Sequence, residues 1–179
     1  MTAAKRTRAA RRKPQVLLEQ IISGGQTGVD RAALDVALEL GIPCGGWCPR
    51  GRKAEDGPIP DRYPLAETPT ARYAERTERN VSESDGTLIL TNGPIAGGTA
   101  LTKACAERLG RPLHVVDFSA NGDEVAGLIR WLADNSIGTL NVAGPRESQQ
   151  PGVYVLARDF LRQLLAAANR PTIAGCNSD

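Results

Sequence analysis

An alternation along the chain constrains its fold more than any other feature: short, nearly continuous runs of Val, Ile and Leu recur between amphipathic segments, with glycine-rich turns at the junctions. Residues 16–23 form an apolar run that meets Gly24 and Gly25, and a 3.6-residue periodicity then holds over 31–40 until Gly41 ends it. By the same criteria, 43–48 is a short strand, 70–84 a polar helix, 86–91 a strand and 98–109 a helix closed by Gly110. A strand over 112–117, a helix over 123–135, a strand over 138–143 and an amphipathic helix over 153–168 follow. Strands that read as unbroken apolar runs are buried on both faces. The pattern therefore predicts an α/β domain of three layers, with helices flanking a mostly parallel central sheet. Right-handed crossovers gather the strand-to-helix loops at one edge, and ligands of such sheets sit beyond the strand carboxyl ends where the strand order reverses. Residues 49–65, rich in Gly, Pro and charge and without periodicity, are long for a plain connection and read as a functional segment.

A chain of 179 residues, 41% of them hydrophobic, suffices for one core and leaves little room for a second. The expected division is a basic, solvated arm over 1–14, a ligand-binding domain over 15–168 and a tail over 169–179. Lys5, Arg6, Arg8, Arg11, Arg12 and Lys13 all lie in that arm, so the remaining 16 basic residues face 20 acidic ones and the body is negative. That sign disfavours nucleic acid as the partner of the folded domain. No stretch approaches the roughly 18 uncharged residues of a membrane span, and no apolar leader opens the chain, so a soluble, cytoplasmic protein is expected. Cys44, Cys48, Cys105 and Cys176 are expected to be reduced, and the first two lack a second pair with which to bind metal. His114, inside an apolar run, reads as a strand residue.

Three loops carry unusual chemistry. The first, Ser23 to Asp30, has glycines at 24, 25 and 28 that let backbone approach a ligand, with Gln26 and Thr27 between them and helix amides pointing outward. Thr27 and Asp30 also fit a capping box. The second, Gly93 to Thr102, repeats the device: Gly97 and Gly98 precede Thr99, placed to cap the helix and offer a hydroxyl to a phosphate oxygen. In the third, which equally reads as a helix cap preceding Pro151, Asn141 and Ser148 offer hydrogen bonds to a heterocycle or ribose and Arg146 a planar donor set for an anion, with Gly144 a further binding candidate. Within 45–57, Arg50, Arg52 and Lys53 are candidates to close over phosphate or molybdate while Trp47 stacks on a ring. Arg79 and Asn80 are weaker candidates of the same kind.

These blocks resemble the molybdenum cofactor carrier proteins and their molybdenum carrier relatives, within the nucleotide-binding superfamily that includes the lysine-decarboxylase-like phosphoribohydrolases. The resemblance spans about residues 20 to 165. It rests on Gly24-Gly25-Gln26-Thr27-Gly28-Val29-Asp30-Arg31, Gly46-Trp47-Cys48-Pro49-Arg50-Gly51-Arg52, Gly97-Gly98-Thr99-Ala100-Leu101-Thr102 and Asn141-Val142-Ala143-Gly144-Pro145-Arg146-Glu147-Ser148. It implies a Rossmann-like fold, assembly as a dimer or tetramer, and retention of the molybdenum cofactor (molybdopterin), a nucleotide or molybdate at the loop edge. Molybdoenzymes or cofactor-synthesis enzymes are the implied partners. The phosphoribohydrolases carry Pro-Gly-Gly-x-Gly-Thr-x-x-Glu, and this chain has Thr102 at the glutamate position. A hydroxyl cannot replace a carboxylate at an oxocarbenium-type centre, so the expectation is binding or storage without a catalytic residue. The alternatives are nucleotide cleavage, with Glu55, Asp56 or Glu147 substituting, and a nucleotide-sensing module.

Overall fold

The structure is a computed structural model and describes residues 18–120 and 124–169. The basic arm, Asp123, Cys176 and all of the tail but Asn169 lie outside the described residues.

Five strands form one parallel sheet: β1 (Gln20–Ile22), β2 (Cys44–Gly45), β7 (Gly86–Thr91), β8 (Leu113–Asp117) and β9 (Thr139–Ala143), in the order β2-β1-β9-β7-β8. Every pairing within it is parallel, and the register sets Ile21 opposite both Cys44 and Leu140, and Thr87 opposite Asn141. β7 is buried along its whole length, as expected for a strand covered on both faces. Helices α1 (Val29–Glu39), α4 (Val125–Asp134) and α5 (Val153–Ala168) pack together, and α2 (Tyr73–Ser82) packs on α3 (Gly97–Arg108). Crossovers of one hand put the first group on one face and the second on the other. The main core joins Ile21, Val29, Leu88, Leu90, Leu140 and Val142 to Leu128, Leu132, Leu161 and Leu164. Among the described residues, no helix is long and apolar enough to cross a membrane.

Two expectations change. The strand over 43–48 breaks at Gly46, whose φ of 127° and closeness to the Ser23 backbone leave no space for a side chain. Beyond it, β3 (Trp47–Cys48) leaves the central sheet and pairs with β6 (Ala66–Glu67). Nor is the 49–65 segment structureless: β4 (Lys53–Ala54) and β5 (Gly57–Pro58) make a hairpin, and Ile59, Tyr63 and Leu65 form a second small core with Leu34 and Cys48. Periodicity missed the hairpin because strands of two residues have too few positions to alternate.

Candidate functional site

The three chemically unusual loops follow β1, β7 and β9, the three central strands, so their carboxyl ends lie side by side. A cleft opens there, lined by Gln26, Asp30, Tyr73, Arg76, Thr77, Gly98, Thr99, Leu101, Thr102, Ala143, Gly144, Arg146 and Gln149. Its cavity of about 50 Å³ has room for one or two water-sized groups. The first and second glycine loops therefore meet at this cleft.

What distinguishes the cleft is a set of buried donors without acceptors. Gln26 Nε2, Arg76 Nε and the Thr99 hydroxyl have no hydrogen-bond partner among the described residues, although Gln26 and Thr99 are only 5% and 4% exposed. Each is left there by the structure around it. Gln26 Oε1 accepts from the Thr27 N–H at 3.0 Å and the Glu55 N–H at 2.9 Å, which fixes the amide plane. Thr99 lies in the first turn of α3 but does not cap it, because Ala96 holds the N-cap position and the Thr99 N–H already donates to the Ala96 carbonyl. Arg76 reaches across from α2, its Nη1 donating to Asp30 Oδ2 at 3.1 Å. An unmet buried donor costs about 1–3 kcal/mol, so an oxygen-rich ligand entering the cleft recovers what the empty fold loses. The α3 N-terminus adds its partial positive charge. Arg146 adds a full one, its guanidinium 5.1 Å from the Tyr73 ring centre and in no ion pair among the described residues.

Asp30 lies against this cationic group. Its Oδ2 also accepts from the Gln26 N–H at 3.3 Å. Burial pushes its carboxyl up from the usual aspartate range, against the opposing pull of Arg76, the Gln26 amide and Arg146. The expected capping box is only half realised. Asp30 reaches back to the chain before the helix, but α1 starts after Gly28, and the Thr27 hydroxyl donates to Glu55 instead.

The remaining sequence candidates fall in other places. Gly24 and Asn141 line a smaller cavity behind the cleft, together with Arg76 and Thr102. A Cβ on Gly24 would lie 1.8 Å from Arg76 Nη1, so the guanidinium occupies the space a side chain there would need. Asn141 donates to the Thr87 hydroxyl at 3.2 Å, a cross-strand bond that the register dictates. Gly25 packs against Ile59 and Leu65, and Gly97 opens α3 with a φ of 53°. The Thr102 hydroxyl donates to the Gly98 carbonyl one turn back.

Ser148 donates to Glu55 through both its hydroxyl and its N–H, while Glu147 caps α5 by accepting from the N–H groups of Gly152 and Tyr154. Trp47, Arg50 and Arg52 stand outside the cleft. Trp47 donates to Glu83 at 2.7 Å and one ring face carries the Arg79 guanidinium, 4.4 Å from its centre. The Arg52 guanidinium is spent on the carbonyls of Ile59, Pro60, Tyr63 and Leu65. Arg50 is exposed. Asn80 clamps Trp47 by accepting from its N–H and donating to its carbonyl.

The sequence reading missed Tyr73, Arg76 and Asp30 as members of the site. A signal existed: Tyr73, Arg76, Thr77 and Asn80 share one face of α2 at helical spacing, and that face turns inward although it is polar.

A larger groove of about 420 Å³ lies beside the cleft, lined by Thr27, Gly28, Arg31, Asp35, Tyr63, Glu147 and Tyr154 among others. Its polar groups satisfy one another: Asp35 accepts from Tyr63, Tyr154 and Arg62, and Arg31 pairs with Asp56. It lacks the unmet donors that mark the cleft. Among the described residues no cluster of His, Cys, Asp or Glu is placed to hold a metal ion. Burial raises the Cys44 and Cys48 thiols, which keeps them protonated.

Placing β9 and α5 ahead of β1 would renumber the sheet 3-2-1-4-5, the strand order of a Rossmann-like nucleotide-binding domain with its switch point between β9 and β7. The chain belongs to the circularly permutated YpsA SLOG family, whose profile matches residues 21–165. Among solved structures it is similar to one from Syntrophus aciditrophicus SB, named "putative molybdenum carrier protein". The two are 44% identical with a TM-score of 0.81 over 84% of this chain and 96% of that one. A comparison with curated proteins finds no match.

Permutation makes the loop after β9 the counterpart of the phosphate-binding turn that follows the first strand of the standard fold. Here Glu147 already occupies the N-terminus of the next helix with its own carboxylate. The α3 terminus, across the switch point, has no side-chain cap.

Proposed function

We propose that this chain binds a small ligand through an oxyanion group seated at the α3 N-terminus, and that the ligand is the molybdenum cofactor, held through its phosphate for storage or transfer. The observation that carries this reading is that Gln26, Arg76 and Thr99, whose Nε2, Nε and hydroxyl are buried without acceptors among the described residues, all line one cleft between two glycine loops. Similarity to a protein named as a molybdenum carrier supports the choice of cofactor. A phosphate offers oxygens that can accept from these donors, and molybdate alone offers the same. A pterin exceeds about 50 Å³, so its ring lies outside the seat.

Binding rather than cleavage is favoured by the carboxylates nearby. Glu55 is bound by Thr27 and Ser148, Asp56 by Arg31, and Glu147 by the α5 amides, while Thr102 stands where the phosphoribohydrolases have glutamate. Assembly as a dimer or tetramer, a cytoplasmic location and delivery to a molybdoenzyme or from a cofactor-synthesis enzyme belong to the same proposal, and sedimentation velocity checks the first. The test of function is co-elution: protein mixed anaerobically with cofactor retains it through gel filtration and slows its oxidation in air. Retention of a nucleoside monophosphate instead, with release of free base, would establish the enzymatic alternative.

A further inference from the structure

Asp30 is the only carboxylate among the described residues that line the cleft, and it is 3% exposed. A seat for an anion has little use for a fixed negative charge. Asp30 nevertheless shares its counter-ion with whatever enters: Arg76 Nη1 bonds Asp30 Oδ2, and the Nε of the same guanidinium is the unmet donor. Oδ2 takes both bonds made to Asp30, from Arg76 and from the Gln26 N–H, and no donor among the described residues reaches Oδ1. The charged groups around the carboxyl are Arg76 from α2 and Arg146 from the loop after β9. The α3 residues that line the cleft, Gly98, Thr99, Leu101 and Thr102, carry no charge, and the remaining titratable group of its lining is Tyr73.

An oxyanion bound to Arg76 Nε therefore sets its charge beside that of Asp30 with one guanidinium between them. Two like charges in so small a space do not both persist, and the carboxyl, whose Oδ1 meets no donor among the described residues, is placed to take a proton. Resting on the reading of the cleft as an anion seat, we propose that Asp30 makes that seat proton-linked: a fully ionised oxyanion enters together with one proton, taken from solvent onto the Asp30 carboxyl. No covalent bond changes. Burial, which already raises the proton affinity of Asp30, prepares it for this uptake. Once protonated, the carboxyl donates to the ligand instead of repelling it.

Isothermal titration of the full chain with molybdate, a dianion at neutral pH, tests this in two buffers of different ionisation enthalpy. The expected result is a buffer-dependent heat equal to uptake of about one proton per molybdate, with affinity falling by up to tenfold per pH unit as pH rises. Asp30→Asn keeps an acceptor for Arg76 and for the Gln26 N–H, and is expected to bind with no buffer dependence and a flat pH profile. Wild-type binding whose heat is the same in both buffers overturns the proposal and leaves the seat standing. Absence of binding overturns both. Should the variant fail to fold, the wild-type buffer comparison decides alone.

Discussion

Thr99 shows how one side chain carries two opposite costs. Buried and without a partner among the described residues, its hydroxyl destabilises the empty protein, and it repays that cost only when a ligand oxygen arrives. Thr99→Val, nearly equal in shape, is expected to leave ligand-free stability unchanged or raise it by about 1 kcal/mol while weakening oxyanion binding about tenfold. Thermal unfolding without ligand and calorimetry with it check the two halves. Gly28 makes the complementary point. A Cβ there would lie 2.4 Å from the Pro145 carbonyl oxygen, at a φ of 76°. Gly28→Ala is expected to cost about 1–3 kcal/mol in chemical denaturation, because it strains the backbone and parts the first loop from the third. Much of the glycine pattern that reads as ligand approach is thus the means by which the loops pack on one another. Trp47 is a similar case: an aromatic beside cations suggests a stacking platform, yet Arg79 takes one face of the ring and Glu83 its N–H.

At the scale of the element, the β4–β5 hairpin holds the site together. Glu55 joins the first loop to the third through Thr27 and Ser148, and Asp56 pairs with Arg31 on α1. Burial raises the Glu55 carboxyl, but the hydrogen bonds from Ser148 and Thr27 outweigh it and hold it below its ordinary 4.5; the Arg31 hydrogen bond holds Asp56 below 3.8. Both lowered values mean that this anchoring is complete above the unfolded pKa values and is lost as pH falls through the folded ones. Amide exchange at 53–58 is expected to accelerate selectively below about pH 4.5, before the central sheet opens; uniform acceleration would show that the hairpin has no separate anchor. The start of α5 has its own determinant. Glu147→Ala removes two acceptor contacts and is expected to cost about 1 kcal/mol of stability, measured by denaturant midpoint. Runs of five or six buried residues, such as β7, were legible in the sequence; the two-residue strands were not, since local pattern needs length.

For the molecule as a whole, the position of the last strand is what matters. β9 enters between β1 and β7, and the described chain starts where α5 finishes: the Leu18 N–H donates to the Asn169 side chain at 3.1 Å. A permutant opened at the turn around Ser136, with residues 18 and 169 joined by a short linker, is expected to fold with the same far-ultraviolet circular dichroism spectrum and oxyanion affinity. Loss of folding would mean that β9 must follow the rest of the sheet rather than merely reside in it.

Propensity and hydrophobic period are local, so the order of the elements, the covered sheet and the glycine turns at the strand ends could all be read along the chain. The position of β9 could not, because which strand pairs with which is settled by burial summed over the whole sheet. Nor could the cleft: Arg76 lies 46 residues from Asp30 and 50 from Gln26, so local sequence gives no sign that the three share a cleft, and only packing α2 onto α3 across the carboxyl ends brings the guanidinium there. A donor is unmet only when every possible partner has been placed elsewhere, and that is a property of the folded chain.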